Sequence, residues 1–176
     1  VADATYVELE KPTSGENATA RVSVVDYEAN LALLKLDDDK PDFLDGRAGL
    51  SLDTTPNVGD ELDVWQVKDN GLAVNTRCPM VEVSIGNYFL DGTPFLTYDI
   101  KGSLQYHAGS FVLPVLHGDK LAGLLLSYDS DEQISRVLAA PIINHFLEDL
   151  KDGEYAGFPT LGLAFSRATD EQLRKY

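Results

Sequence analysis

Most of the chain consists of short segments rich in β-branched and aromatic residues, separated by residues that favour turns. The segments predicted as strands are Thr5–Glu10, Arg21–Asp26, Leu31–Leu36, Leu62–Val67, Leu72–Thr76, Val81–Ile85, Phe95–Ile100, Phe111–Leu116, Leu121–Ser127 and Arg136–Ala139. Gly, Asn, Asp and Pro between them supply the backbone angles of tight turns. Strands that recur about every ten residues indicate an all-β sandwich or barrel.

One segment has the pattern of a helix. Pro141 suits a first helical turn, and Gly153 can end the helix. The apolar residues that share one face of this helix are Ile142, Ile143, Phe146, Leu147 and Leu150. After the helix, extended character returns at Tyr155–Phe158 and Leu161–Phe165, and a second helix is predicted to start within Asp170–Tyr176.

The composition is that of a folded, acidic protein. Hydrophobic residues make up 44% and charged residues 24% of the 176 residues, which excludes disordered and fibrous classes. The 29 acidic residues outnumber the 14 Lys and Arg residues, and a net charge of −15 repels phosphate groups. We therefore expect no nucleic-acid partner.

Membrane insertion and cysteine chemistry are also disfavoured. No apolar run reaches the roughly 20 residues needed to cross a bilayer, and Val1–Glu10 lacks the layout of a signal peptide. Cys78 is the single cysteine, so an internal disulfide and a cysteine-based zinc cluster are excluded. A reactive thiol at Cys78 is one alternative, but Arg77 is the only charge beside it, and inert packing is the simpler interpretation.

Three segments carry distinctive motifs. Asp26–Lys35 contains Asn-Leu-Ala-Leu-Leu-Lys, and Gly109–Gly123 contains Gly-Ser-Phe-Val-Leu-Pro-Val followed by Gly-Asp-Lys-Leu-Ala-Gly. Ala139–Gly162 joins the predicted helix to Gly-Phe-Pro-Thr-Leu-Gly. Together they resemble the protease domain of Deg/HtrA-type serine proteases. The resemblance implies an all-β, trypsin-like double β-barrel with one C-terminal helix, of which the first barrel is incomplete in this chain.

The resemblance places altered residues at the catalytic positions. Asn30 stands where the family has the triad carboxylate, and Phe111 stands where it has the nucleophilic Ser. Gly109 is retained in the oxyanion loop, but Val112 and Leu113 replace the glycine pair. An amide cannot stabilise the positive charge of a catalytic His. We expect no catalytic residue here, because positive backbone angles are unfavourable for Val112 and the apolar side chains would plug the cleft.

Ser110 is the alternative nucleophile. That alignment needs an insertion before Pro114 and leaves bulky side chains beside the hydroxyl. The resemblance places the catalytic His just upstream of Val1, so this alternative is an active serine endopeptidase whose His is supplied from upstream. A rebuilt dyad of His107 and Ser110 has no carboxylate with the right role, and both are interpreted as ordinary loop residues.

The acidic loops offer a further alternative, a cation- or ligand-binding module. The first loop contains Asp37, Asp38, Asp39, Asp42 and Asp45. It departs from an EF-hand because Asp42 stands in the place of the loop Gly and Ala48 in the place of the final Glu. The second, Asp129–Glu132, lies near the family's substrate cleft and has the charge to bind a cation or a basic peptide. His117 and His145 lack the spacing of zinc ligands, so no metal or cofactor is expected.

The predicted layout assigns residues 1–160 to the trypsin-like domain, with the first barrel over about 1–52 and the second barrel and closing helix over about 53–153. Residues 161–176 are predicted to begin a linker toward a PDZ-type domain that lies outside the chain. The predicted function is a catalytically inactive domain that acts as a scaffold or binds a protein or peptide. The resemblance also implies assembly into a homo-oligomer and favours a periplasmic or other extracytoplasmic location.

Overall fold

Strands make up most of the structure. The computed structural model describes residue 4 and residues 6–37, 40–68, 70–87, 93–104 and 112–159. Within these ranges the strands are β1 (Val7–Glu10), β2 (Asn17–Asp26), β3 (Leu31–Leu36), β4 (Glu61–Val67), β5 (Ala73–Asn87), β6 (Pro94–Lys101), β7 (Pro114–His117), β8 (Lys120–Asp129) and β9 (Ile134–Ala139). A helix, α1 (Ala140–Asp149), follows them and continues into a 3-10 turn, Leu150–Asp152. The all-β class with a C-terminal helix is confirmed.

The first three strands form an open antiparallel sheet in the order β1-β2-β3. Asp26 at the end of β2 lies opposite Leu31 at the start of β3, so a short turn joins the two strands. Along β2, Ala18 and Ala20 are buried whereas Arg21 is exposed. This alternation is typical of an antiparallel sheet that packs one face against a core.

The other six strands close into an antiparallel barrel in the order β4-β5-β6-β9-β8-β7. Val64 of β4 lies opposite Val115 of β7, and this pairing completes the ring. Gly123 allows β8 to approach β9 closely, because a Cβ atom at this position would lie 2.1 Å from the carbonyl oxygen of Leu138. The barrel is therefore held by packing that tolerates no side chain at position 123.

One strand prediction was wrong in its extent. Leu72–Thr76 and Val81–Ile85 were predicted as separate strands, but Val81–Ile85 and all of Leu72–Thr76 except Leu72 lie in the single 15-residue strand β5. β5 pairs with β4 as far as Pro79 and with β6 from Met80 onward, with a register shift after Met80. A proline without an N–H group is tolerated where a strand changes partners, so Pro79 does not end the strand.

Two hydrophobic clusters stabilise the fold. The first lies inside the barrel, and its members are Leu62, Val64, Cys78, Met80, Tyr98, Ile100, Leu104, Val115, Ala122, Leu125, Val137 and Ala139. The second lies where the open sheet, the barrel and α1 meet, and its buried members are Ala29, Leu31, Phe95, Leu138, Ile143 and Phe146. The second cluster fixes the position of the β2–β3 turn relative to the barrel.

The helix begins and ends as the sequence predicts. Pro141 occupies its first turn, where a missing N–H group costs no hydrogen bond, and Gly153 ends the 3-10 turn with φ 86°. Phe146 is buried, whereas Leu147 is 41% exposed and contributes little to the packed face. Within the described residues, no helix has the length and apolar character needed to span a membrane.

Candidate functional site

The turn that carries Asn30 is held by its neighbours. Ala29 is fully buried and Leu31 is 9% exposed, and both pack in the cluster between the open sheet and the barrel. Asn30 itself is exposed and has a φ of 54°. Asn is one of the few residues that tolerate this left-handed conformation. The fold therefore holds residue 30 at the surface with a defined backbone, although its side chain is an amide.

A buried carboxylate organises the same turn. Asp26 is 6% exposed, and its Oδ1 accepts a hydrogen bond of 2.7 Å from the backbone N–H of Ala29. Its Oδ2 accepts a hydrogen bond from the hydroxyl of Tyr155. Burial, followed by the hydrogen bond to Asp26, raises the pKa of Tyr155 above its ordinary value. Tyr155 therefore keeps its proton and remains a donor.

The sequence patterns did not identify Asp26 or Tyr155 as residues that shape the site. An Asp at the start of a turn commonly accepts a backbone N–H group a few residues later, and this signal could have identified Asp26. Tyr155 is 129 residues away along the chain, and no local pattern connects it to the turn.

The oxyanion-loop positions are described only in part. Gly109, Ser110 and Phe111, as well as His107, lie outside the described residues, so the plug expected at Phe111 stays a prediction. Leu113 packs against the barrel core, and its carbonyl accepts a hydrogen bond of 2.8 Å from the N–H of Leu125.

The expectation for Val112 was wrong in two respects. Val112 is 51% exposed, so its side chain does not fill an apolar cleft. Its φ is 61°, whereas the sequence reasoning did not expect a β-branched residue to adopt a positive φ. A β-branched residue at positive φ is strained, typically by about 1–3 kcal/mol. Residue 112 therefore has a positive φ of the kind usually supplied by glycine, although it is a valine.

The remaining histidines and the cysteine have structural partners. His117 Nδ1 lies 2.7 Å from Asp53 Oδ2, and His145 Nε2 donates a hydrogen bond of 3.2 Å to the carbonyl of Gly157. Cys78 is fully buried, and burial raises the pKa of its thiol to about 11, with smaller contributions from Glu61 and Asp63. These environments favour the interpretation of Cys78 as an inert core residue.

The acidic loops are organised by their own hydrogen bonds. Asp129 Oδ1 accepts the backbone N–H groups of Asp131, at 2.9 Å, and Glu132, at 3.1 Å. In the first loop, the carbonyl of Asp42 accepts the N–H of Asp45 at 2.9 Å. In the part of the chain that the structure describes, no three His, Cys, Asp or Glu side chains are grouped so as to hold a metal ion. The cation-binding alternative gains no support from this geometry.

The chain is similar in sequence to known proteins along its full length. No family model matches the chain. The chain is 30% identical to the mitochondrial protein named protease Do-like 3 of Arabidopsis thaliana in an alignment of 178 positions that covers 99% of this chain and 31% of that protein. It is 27% identical to the mitochondrial protease Do-like 4 of the same plant over 179 residues, covering 100% of this chain and 34% of that protein. The chain thus spans about a third of the length of these relatives.

A solved structure supports the fold. The HtrA-type protease AlgW with a decapeptide superposes with a TM-score of 0.65 over 86% of this chain and 46% of that chain, at 14% identity. At this identity the likeness establishes the trypsin-like fold, which matches the closed barrel, the open sheet and the helix described above. The sequence matches to the Do-like proteases also cover the whole chain, so the chain is similar along its full length to part of these Deg/HtrA-type proteases.

Proposed function

We propose that this Deg/HtrA-type domain does not hydrolyse peptides and instead serves as a scaffold that binds a protein or peptide. The observation that carries the proposal is the residue at position 30. The turn at this position is anchored on both sides. It carries Asn where the resemblance to the family places the triad carboxylate. Replacing the triad Asp by Asn lowers turnover by about 10⁴-fold in serine proteases, because the His is held in the wrong tautomer.

The proposal is tested with a fluorophosphonate probe and with casein as substrate. The protein is produced with any natural residues that precede Val1, because the resemblance places the catalytic His there. We expect no labelling and no casein hydrolysis above the buffer blank. Labelling that disappears in Ser110→Ala and persists in Ser130→Ala, an exposed serine in the β8–β9 loop, would overturn the proposal.

One observation favours the rival function, an active serine endopeptidase that uses Ser110. Val112 adopts φ 61°, the type of backbone angle that glycine usually supplies when N–H groups are turned toward an oxyanion. The relatives of the chain are also named as proteases. The labelling experiment decides between the two functions, since only the rival predicts a covalent adduct on Ser110.

The second half of β5, from Val81 onward, supports the proposal that the domain binds a protein or peptide. Val81, Val83 and Ile85 are 41%, 42% and 50% exposed. Among the described strands, β5 pairs beyond Pro79 only with β6, so its other edge has no strand beside it. An extended segment that adds to such an edge gains backbone hydrogen bonds, and its alternate side chains meet the apolar row.

The net charge of −15 indicates which extended segment fits this edge. We assign it a basic peptide with apolar residues at alternate positions, because basic side chains complement the acidic domain. The test uses fluorescence polarisation with a labelled ten-residue peptide of alternating Val and Lys. A peptide of alternating Val and Glu is the matched control.

We expect the Val-Lys peptide to bind more tightly than the Val-Glu peptide and to lose affinity at least about tenfold in Val83→Glu. Leu44→Glu changes an apolar residue that is 51% exposed outside β5 and should leave the affinity unchanged. Equal affinity of the two peptides, or equal loss in both variants, would contradict this site on β5 without affecting the labelling result.

A further inference from the structure

The segment that follows the helix is bound to it by hydrogen bonds from backbone N–H groups to a side chain of the helix. We call Tyr155–Phe158 the strap. Asp149 Oδ2 accepts the N–H of Ala156 at 2.8 Å and the N–H of Gly157 at 3.0 Å. One carboxylate at the end of α1 thus fixes two successive residues of the strap.

Aromatic contacts hold the strap against the second hydrophobic cluster. The Tyr155 ring meets the Phe146 ring edge-on, with centroids 5.1 Å apart and an interplanar angle of 65°. The Phe158 ring meets the Phe95 ring in the same manner, at 4.8 Å and 74°. Such pairs are worth about 0.5–1.5 kcal/mol each beyond the area that they bury. The strap therefore has a defined position relative to both the helix and the barrel.

The strap reaches the β2–β3 turn through one hydrogen bond. The Tyr155 hydroxyl donates to Asp26 Oδ2, and Asp26 Oδ1 accepts the N–H of Ala29, the residue before Asn30. Asp26 is 6% exposed, and a buried carboxylate is stable only when its oxygens are hydrogen-bonded. Loss of the Tyr155 hydroxyl would leave one of these oxygens without that donor and weaken the whole turn.

We infer that the strap is a positioning device for residue 30: its docking on α1 places the Tyr155 hydroxyl on Asp26, and Asp26 in turn holds the backbone at Ala29 and Asn30. Tyr155 and Asp26 are positioning residues, because they act on residue 30 through the turn. Displacement of the strap from its C-terminal side would release the turn. The inference is independent of whether the domain cuts peptides, since it concerns only where the backbone of residue 30 lies.

The test is residue-resolved amide hydrogen exchange, measured by NMR on the full chain. Tyr155→Phe removes the hydroxyl and keeps the ring that packs on Phe146. We expect the Ala29 amide to exchange about tenfold faster, as for loss of a hydrogen bond to a charged group. Tyr27→Phe makes the same change in the same turn at a side chain that is 61% exposed, and it should leave the Ala29 amide unchanged.

A second variant tests whether the effect travels along the strap. Asp149→Ala removes the acceptor for Ala156 and Gly157 and leaves the Tyr155 hydroxyl and the Asp26 carboxylate in the protein. We expect it to speed exchange at Ala29 as well, while the amide of Val64 inside the barrel keeps its rate. An unchanged Ala29 amide in both variants would overturn the inference, as would equal acceleration at Ala29 and Val64, which reports only global destabilisation.

Discussion

The closed barrel and the candidate site differ in which side chains stabilise their backbone. Inside the barrel, Leu62, Val64 and Ile100 are completely buried, and each lies within a strand of the closed sheet. At the site, Asn30 and Val112 are exposed and have positive φ angles. The barrel is thus stabilised by its own side chains, whereas the backbone of the site is imposed by residues packed around it. A domain built in this way can change the side chains at these exposed positions and keep the backbone conformation of the loops that carry them.

Among the changes that distinguish the barrel from the site, we expect the largest loss of stability from a cavity inside the barrel. Leu62→Ala removes a side chain that is 0% exposed, and we expect it to lower the free energy of unfolding by about 3 kcal/mol. Leu44→Ala, at a residue that is 51% exposed, should change it by less than about 0.5 kcal/mol. Urea unfolding of both variants measures the difference. Similar losses in the two variants would contradict the packing described for the barrel.

The next effect tests the close approach of β8 and β9. In Gly123→Ala the added Cβ atom would lie 2.1 Å from the Leu138 carbonyl oxygen and 2.6 Å from Val137 Cγ1. The strands must move apart, and we expect a loss of about 2 kcal/mol. Gly49→Ala is the matched control, since a Cβ atom there meets nothing within 4 Å. A neutral Gly123→Ala in thermal unfolding would show that the barrel is looser than described.

At the site, we expect a substitution to raise the free energy of unfolding, whereas the two substitutions in the barrel lower it. Val112→Gly relieves the strain of a β-branched residue at φ 61°, and we expect a gain of about 1 kcal/mol in the free energy of unfolding. Asn30→Gly should be close to neutral, because Asn already tolerates φ 54°. Destabilisation by Val112→Gly would mean that the positive φ does not store strain at this position.

The smallest expected effect is a pH dependence of stability that comes from Asp53, which is hydrogen-bonded to His117 of β7. The hydrogen bond with His117, followed by that from the N–H of Thr55, lowers the pKa of Asp53 below its ordinary value of 3.8. A lowered folded-state pKa stabilises the fold above about pH 4, and this contribution is lost as the pH falls through the folded-state pKa. We expect it to be less than about 1 kcal/mol, because the pair is partly exposed.

The measurement compares the free energy of unfolding of the unchanged protein and of Asp53→Asn between pH 7 and pH 2.5. The difference between them should be present at pH 7 and should shrink at low pH. Asp119→Asn, in the exposed β7–β8 turn, provides the control. A difference that is independent of pH would rule out ionisation of Asp53 as its cause.

The sequence by itself determined the local elements and the residue type at position 30. Turn residues and period-two patterns located the strands, and Pro141 and Gly153 marked the limits of the helix. The motif around Leu31 predicts that Asn30 occupies the position of the triad carboxylate. These features depend on neighbouring residues, which a short window of sequence contains. Even so, two separate strands were predicted where β5 continues through Pro79, because only the pairing partners of β5 decide whether a proline is tolerated there.

Tertiary structure alone decided the contacts between distant residues. The closure of β7 on β4, the positive φ of Val112 and the hydrogen bond from Tyr155 to Asp26 have no local signal. Tyr155 and Asp26 are separated by 129 residues and meet only because α1 packs on the barrel beside the open sheet. Packing of this kind depends on all the buried side chains together. The folded core therefore decides where residue 30 lies, whereas the sequence decides that this residue is Asn.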